Sequence, residues 1–311
     1  MQYGFGVDLG GTTVKIAFFD REGNMLSKWE IPTVTENNGE RILPDIAASI
    51  LDYVKDHNIP QEDIIGVGIG VPGAVDPNGF VDGCDNLGWG RFNVLDAFHA
   101  LTGLHVAATN DANTAALGEC WKGGGQGCRN MVMVTLGTGV GGGIILDGKP
   151  LHGVQGAAGE IGHMVLNRNE TRYCNCGKPG CVEQYCSATG IVRMASDYLQ
   201  EHSDASCLRN VTKLTCKDVF DAAASGDTVA QTVLEQVYAY MGEFIANICI
   251  VLNPERVVIG GGVSKAGQPL LDGIQRYFNR YIYHASTPVD FQLAALGNDA
   301  GSYGAVKLIL D

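Results

Sequence analysis

YGFGVDLGGTTVKIAFFD, residues 3–20, reads as two strands joined by a tight turn of glycine and threonine. Backbone N–H groups in such a turn converge on one centre and bind phosphate oxygens, and threonine hydroxyls add donors. Only glycine lets the backbone approach a ligand that closely. Gly10, Gly11, Thr12 and Thr13 are the candidate phosphate residues. Asp8 would repel a bare phosphate but suits a metal-bound one, since Mg²⁺ is held by few carboxylates and keeps its waters.

The same pattern returns in RNMVMVTLGTGVGGGIILDG, residues 129–148, where Thr135, Gly137, Thr138 and Gly139 occupy the turn. One such loop is an ordinary hairpin as readily as a binding site. Two of matching design, each opening one half of the chain, form an internal structural repeat and point to phosphate. The strand–turn–strand context excludes a Rossmann fingerprint, which needs a helix after the glycines, and there is no P-loop motif. A third run, VVIGGGVS at 257–264, follows a strand, and Gly261 and Gly262 are placed as a flat wall for an adenosine.

Between these turns the chain alternates strand and helix, an α/β pattern. Helical apolar spacing covers 42–58, a buried strand covers 64–73, and a helix follows GLHVAATND (103–111). Further helices are expected at 187–202, 216–225 and 226–252, with Thr215 and Asp218 forming a capping box for the second. A strand at 256–261 and a terminal helix from about Ser302 close the chain, and 201–215 reads as a surface loop.

With 311 residues there is length for two domains, and 45% hydrophobic residues suffice for normal cores. A net charge of −13 argues against non-specific binding to nucleic acid or anionic membranes. The start of the chain lacks a signal peptide's basic and apolar regions, and FIANICIVL (244–252) is too short to span a bilayer. The cytoplasm is therefore the expected compartment, where structural disulfides are rare. Cys84, Cys120, Cys128, Cys207, Cys216 and Cys249 stand singly and read as packing residues.

Two further clusters carry chemistry. ATNDANTAALGE (108–119) puts Asn110 and Asp111 where a strand meets a helix. Both are preferred N-caps, and a carboxylate there can also accept a proton from a substrate hydroxyl. YCNCGKPGC (173–181) offers Cys174, Cys176 and Cys181, with His163 of GEIGHMVL the nearest upstream fourth ligand. A Cys₃His set closes a tetrahedral zinc site and leaves no position for water, so it is structural rather than hydrolytic. Glu160 and Glu183 flank the cluster, and paired carboxylates there would be good hydrogen-bond acceptors for a ligand's hydroxyl groups.

DLGGTT, NDAN, LGTGVGGG, GEIGH and CNCGKPGCVE, in this order along essentially the whole chain, resemble the ROK family (repressors, open reading frames, kinases). The resemblance implies the actin-like ATPase (ribonuclease H-like) duplicated fold, with two domains and an active-site cleft. It divides the chain into 1–109, completed by a C-terminal helix at about 298–311, and 110–297 with the zinc-binding loop. It implies Asp111 as general base, and sugar contacts from Asn110, Asp111, Glu160, His163 and Glu183. Structural Zn²⁺ falls to His163, Cys174, Cys176 and Cys181, and ATP with Mg²⁺ to the Gly/Thr loops. The N-terminal DNA-binding module of the family's repressors is not expected, as the first loop begins at Asp8. WEIPT (29–33), DNLGW (85–89) and SATGIVR (187–193) are similar to the glucokinase branch, which implies phosphorylation of glucose at the 6-hydroxyl. Another hexose or amino sugar (N-acetylglucosamine, N-acetylmannosamine or fructose), polyphosphate as donor, and a non-catalytic sugar sensor are the rival readings. A homodimer or homotetramer is expected by resemblance.

Overall fold

Asp8 and Lys15 face each other across the first turn because β1 (Tyr3–Leu9) and β2 (Thr13–Asp20) pair antiparallel, from Tyr3 opposite Asp20 to Leu9 opposite Val14. β3 (Met25–Pro32) extends this meander. The computed structural model describes residues 2–310. After a single turn, α1 (Glu36–Gly39), comes α2 (Ile42–Asp56), which buries Ile42, Ile46 and Ile50 at four-residue spacing. β4 (Ile64–Val71) is buried along most of its length and pairs parallel to β1, as a nearly continuous apolar run should.

A two-stranded ribbon, β5 (Phe80–Cys84) and β6 (Trp89–Asn93), leads into α3 (Val94–Thr102) and β7 (Val106–Asn110). β7 pairs parallel to β4, so the first sheet runs β3-β2-β1-β4-β7. α4 (Asp111–Lys122) leaves directly from the end of β7.

The second half repeats the order. β8 (Met131–Leu136), β9 (Val140–Leu146) and β10 (Lys149–Pro150) precede the cysteine-rich loop. Then come α5 (Glu183–Cys186, one turn), α6 (Ala188–Glu201), α7 (Cys216–Ala224) and α8 (Thr228–Leu252). β11 (Arg256–Gly260), α9 (Gln268–Tyr281), β12 (Asp290–Leu293) and α10 (Ala300–Leu310) complete the chain. The second sheet runs β10-β9-β8-β11-β12, the same third-second-first-fourth-fifth order as the first. The expected repeat is thus present in topology, and the expected capping box of Thr215 with Asp218 is formed.

Two compact units result. The first comprises residues up to Arg129, Gly143–Gly159 and the chain from Ala295; its core gathers Phe5, Ile16, Ile46, Ile69 and Phe98. α10 lies on its sheet where glycine leaves room: a Cβ on Gly68 would stand 1.7 Å from the Ala305 carbonyl oxygen. The second comprises Asn130–Gly142 and Glu160–Ala294, with Val134, Val237, Phe244, Ile259 and Phe278 in its core. α4 falls in the first unit. No helix among the described residues is long and apolar enough to cross a membrane. One of the single cysteines departs from its expected role: Cys207 is exposed in a polar turn and packs against no core.

Candidate active site

In the first unit, the Gly10–Thr13 turn is closed by Gly10 N–H donating to the Thr13 carbonyl at 3.1 Å. Thr33 holds it from behind: its N–H donates to the Thr12 carbonyl at 2.9 Å and its hydroxyl to the Gly10 carbonyl at 2.7 Å. Gly11 and Thr12 are exposed, and the space beside Gly11 is open. Lys15 Nζ lies 3.2 Å from Asp8 Oδ2, which puts a cation beside the turn. Sequence reasoning named Asp8 but missed Lys15. The available signal was the cross-strand register, which opposes residues either side of a short turn.

Asn110 and Asp111 divide the work at the head of α4. Asn110 is the cap: Oδ1 accepts from Ala112 N–H at 2.8 Å and Asn113 N–H at 3.3 Å, and Nδ2 donates to the Gly73 carbonyl at 3.1 Å. Asp111 is the first helical residue, and its Oδ1 accepts from Ala112 N–H at 2.8 Å. It lines a cavity of about 410 Å³ together with Pro72, Gly73, Gly83, Cys84, Asp85 and Asn86. Leu87 and Trp89 are buried and anchor the ribbon that carries Asp85 and Asn86 to this wall. Those two polar residues were quoted from DNLGW as a similarity only, and the fold places them beside Asp111.

In the second unit, the Thr135–Gly139 loop is held by donors at the start of α6. Ala188 N–H reaches the Gly137 carbonyl at 2.8 Å, and the Thr189 hydroxyl reaches the Thr138 carbonyl at 2.6 Å. Glu183 supports the loop from below: its Oε2 accepts from Val140 N–H at 3.0 Å, and its Oε1 accepts from the Cys174 thiol at 3.5 Å. Gly261, at φ +81°, presses its backbone against Leu136, where a Cβ would meet the carbonyl oxygen at 2.5 Å. Gly262 lines a cavity of about 230 Å³ with Phe220, Val263 and Ala266 as apolar walls and Lys217 and Lys265 among its polar groups.

His163 ends a helical turn, Ile161–His163, that buries Ile161 and Gly162. Its Nδ1 lies 3.7 Å from Cys174 Sγ, and Cys176 Sγ lies 3.5 Å from Cys181 Sγ. The four donor atoms all lie within 4.8 Å of one another. The edges of a tetrahedron around zinc, with Zn–S near 2.3 Å, are about 3.8 Å, so this donor set fits that ion. Among the described residues it is the one cluster of its kind. His152, in the first unit, has Nδ1 3.1 Å from the Thr109 hydroxyl. Burial pushes the Cys174 and Cys181 thiols up, Cys181 to about 12, whereas the Lys178 backbone N–H draws Cys176 down. His163 Nε2 lies 3.9 Å from Glu160 Oε2 on a carboxylate that is largely exposed. The loop is braced by Gln184, whose Oε1 accepts from the N–H groups of Gly180 and Cys181 at 2.7 and 3.1 Å.

Comparison with known proteins agrees with these motifs. The model of the ROK family matches residues 4–311. The glucokinase of Halalkalibacterium halodurans is 45% identical over 98% of this chain and 94% of its own length. That of Thermotoga maritima is 36% identical over 98% and 96%. Among solved structures, the ROK family glucokinase of Streptomyces griseus in complex with glucose and AMPPNP is 34% identical. It aligns with a TM-score of 0.74 over 98% of each chain.

Proposed function

The chain belongs to the ROK family, and from that premise we propose that it phosphorylates glucose at the 6-hydroxyl, with Asp111 as general base. Its fold is the duplicated α/β fold of actin-like ATPases, and its activity is that of an ATP-dependent sugar kinase. The observation that carries the finer reading is Asp111 at the head of α4, facing a polar cavity large enough for several sugar hydroxyls.

Asp111 takes the proton of the 6-hydroxyl as that oxygen attacks the γ-phosphorus. The bond from phosphorus to the bridging β-oxygen breaks and ADP leaves. Phosphoryl transfer passes through a loose transition state, so placing the nucleophile matters more than a strong base. Asn110, Glu160, His163 and Glu183 hold the sugar's other hydroxyls. The turns at Asp8–Thr13 and Thr135–Gly139 bind phosphate oxygens, and Lys15 adds a positive charge beside the first. The apolar cavity at Gly262 takes the adenine. Mg²⁺ arriving already chelated by ATP suits a site with the single carboxylate of Asp8.

His163, Cys174, Cys176 and Cys181 would hold a structural Zn²⁺, which would supply four bonds to fix their loop. With Nδ1 facing the thiols, His163 keeps Nε2 turned to Glu160 and available to a sugar oxygen.

Asp111→Asn tests the assignment of the base. Turnover is expected to fall by about 10²–10⁴ with glucose binding within about threefold of the native value. A variant that keeps near-native kcat overturns the assignment.

A further inference from the structure

Glu119, near the end of α4, has no exposure to solvent. A buried carboxylate is costly unless hydrogen bonds replace its water. Here Oε2 accepts from the N–H groups of Gly124 at 2.8 Å and Ala295 at 2.9 Å, and Oε1 accepts from Leu296 N–H at 2.8 Å. None of the chemistry described above uses this group.

Its partners lead to the first phosphate turn. Ala295 and Leu296 open the strap into α10. Two residues further on, the Asn298 carbonyl accepts from Lys15 Nζ at 3.4 Å, the same nitrogen that lies 3.2 Å from Asp8. The next residue, Asp299, holds Lys28 Nζ at 2.9 Å from both carboxylate oxygens.

A second route runs through the helices. α4 and α10 meet backbone to backbone: a Cβ on Gly118 would stand 2.1 Å from the Ala300 carbonyl oxygen, and one on Gly304 1.6 Å from that of Thr114. α10 in turn abuts Asp8, since a Cβ on Gly301 would stand 2.7 Å from its carboxylate carbon. The helix that begins with Asp111 therefore carries, near its other end, the group that fixes the strap touching Lys15.

We propose that Glu119 is a positioning residue that sets the Asp8–Lys15 pair relative to the head of α4. The nucleotide's phosphates and the reacting hydroxyl are thereby held at matched places. This rests on the reading of residues 8–13 as a phosphate turn. Replacing the carboxylate by an amide turns an –NH₂ toward backbone N–H groups, a buried donor facing donors.

Glu119→Gln is expected to raise KM for MgATP about tenfold, the order of one lost charged hydrogen bond, with KM for glucose within about twofold. In a Lys15→Met background the same change should add little, because its route to the phosphates is already cut. A lowered Tm with both Michaelis constants unchanged, or both raised together, would mean a purely structural role and overturn the inference. Should Glu119→Gln fail to fold, Glu119→Asp keeps the charge and draws the carboxylate back from the Ala295 and Leu296 N–H groups, and the same selective loss is expected. Binding of a non-hydrolysable ATP analogue with Mg²⁺, measured by calorimetry without sugar, should weaken by the same factor; unchanged binding contradicts the proposal. Native-strength analogue binding by Lys15→Met would refute the reading of residues 8–13 as a phosphate turn, whereas weakened binding by Lys15→Met with native binding by Glu119→Gln would refute the role of Glu119 alone.

Discussion

Asn110 and Asp111 stand side by side, and the backbone gives them different work. Asn110 uses its oxygen to cap α4 and its amide nitrogen to hold the Gly73 carbonyl. Asn110→Ala should lower stability by about 1 kcal/mol, the usual cost of a lost cap, measured by urea unfolding. Asn110→Asp keeps the cap oxygen and loses the bond to Gly73. It should leave stability within about 0.5 kcal/mol while raising the sugar KM, and equal stability losses in both variants would mean that the bond to Gly73 matters and the cap does not. The place of Asp111 at the junction of β7 and α4 was legible because Asn and Asp mark helix starts. Lys15 was missed although the register of β1 against β2 opposes it to Asp8, because that register follows only once the turn between Leu9 and Thr13 is assigned its full length. Asp85 and Asn86 were hidden for the related reason that burial of Leu87 and Trp89, a tertiary fact, orients them.

At the scale of elements, the cysteine loop and α8 make separate predictions. The loop's shape depends on its four clustered donors more than on secondary structure, so removal of zinc by a chelator should raise the sugar KM at least about tenfold or unfold the loop. A metal-free protein with native kinetics would contradict a structuring role. α8 begins at Asp227, where burial pushes the carboxyl up but the N–H groups of Ala230 and Cys207 and the Ser206 hydroxyl outweigh it, holding it at about 2. A depressed carboxylate stabilises the fold fully above its unfolded pKa, near 3.9, and loses that contribution as pH falls through about 2. Discounted for its solvent exposure, the contribution is about 1 kcal/mol. Asp227→Asn should accordingly lower the urea midpoint at pH 6, with a difference from native that shrinks by pH 2.5. A constant difference would show that charge plays no part. The long, strongly patterned elements were legible: α2, α7 with its capping box, and α8 all lie within a few residues of their expected spans. The β5–β6 ribbon, α3 and β12 were not, because their short segments lack a sustained period and take their form from what they pack against.

At the scale of the molecule, the two Gly/Thr turns announced the duplication, and the matching order of the two sheets is its structural counterpart. A repeated turn is readable because it needs glycine at fixed places, whereas the sheet order depends on crossovers that leave little trace in composition. The proposed function puts the choice of sugar in polar groups of the assembled protein, so it is best tested on the whole chain. The most direct measurement is the initial rate of sugar-phosphate formation across about a dozen hexoses and amino sugars under one set of conditions, with polyphosphate substituted for ATP in a parallel series. The account predicts the highest kcat/KM with glucose and ATP, and glucose 6-phosphate as product. A higher kcat/KM with another sugar or with polyphosphate would contradict the specificity, and sugar phosphate formed from none of them would overturn the account.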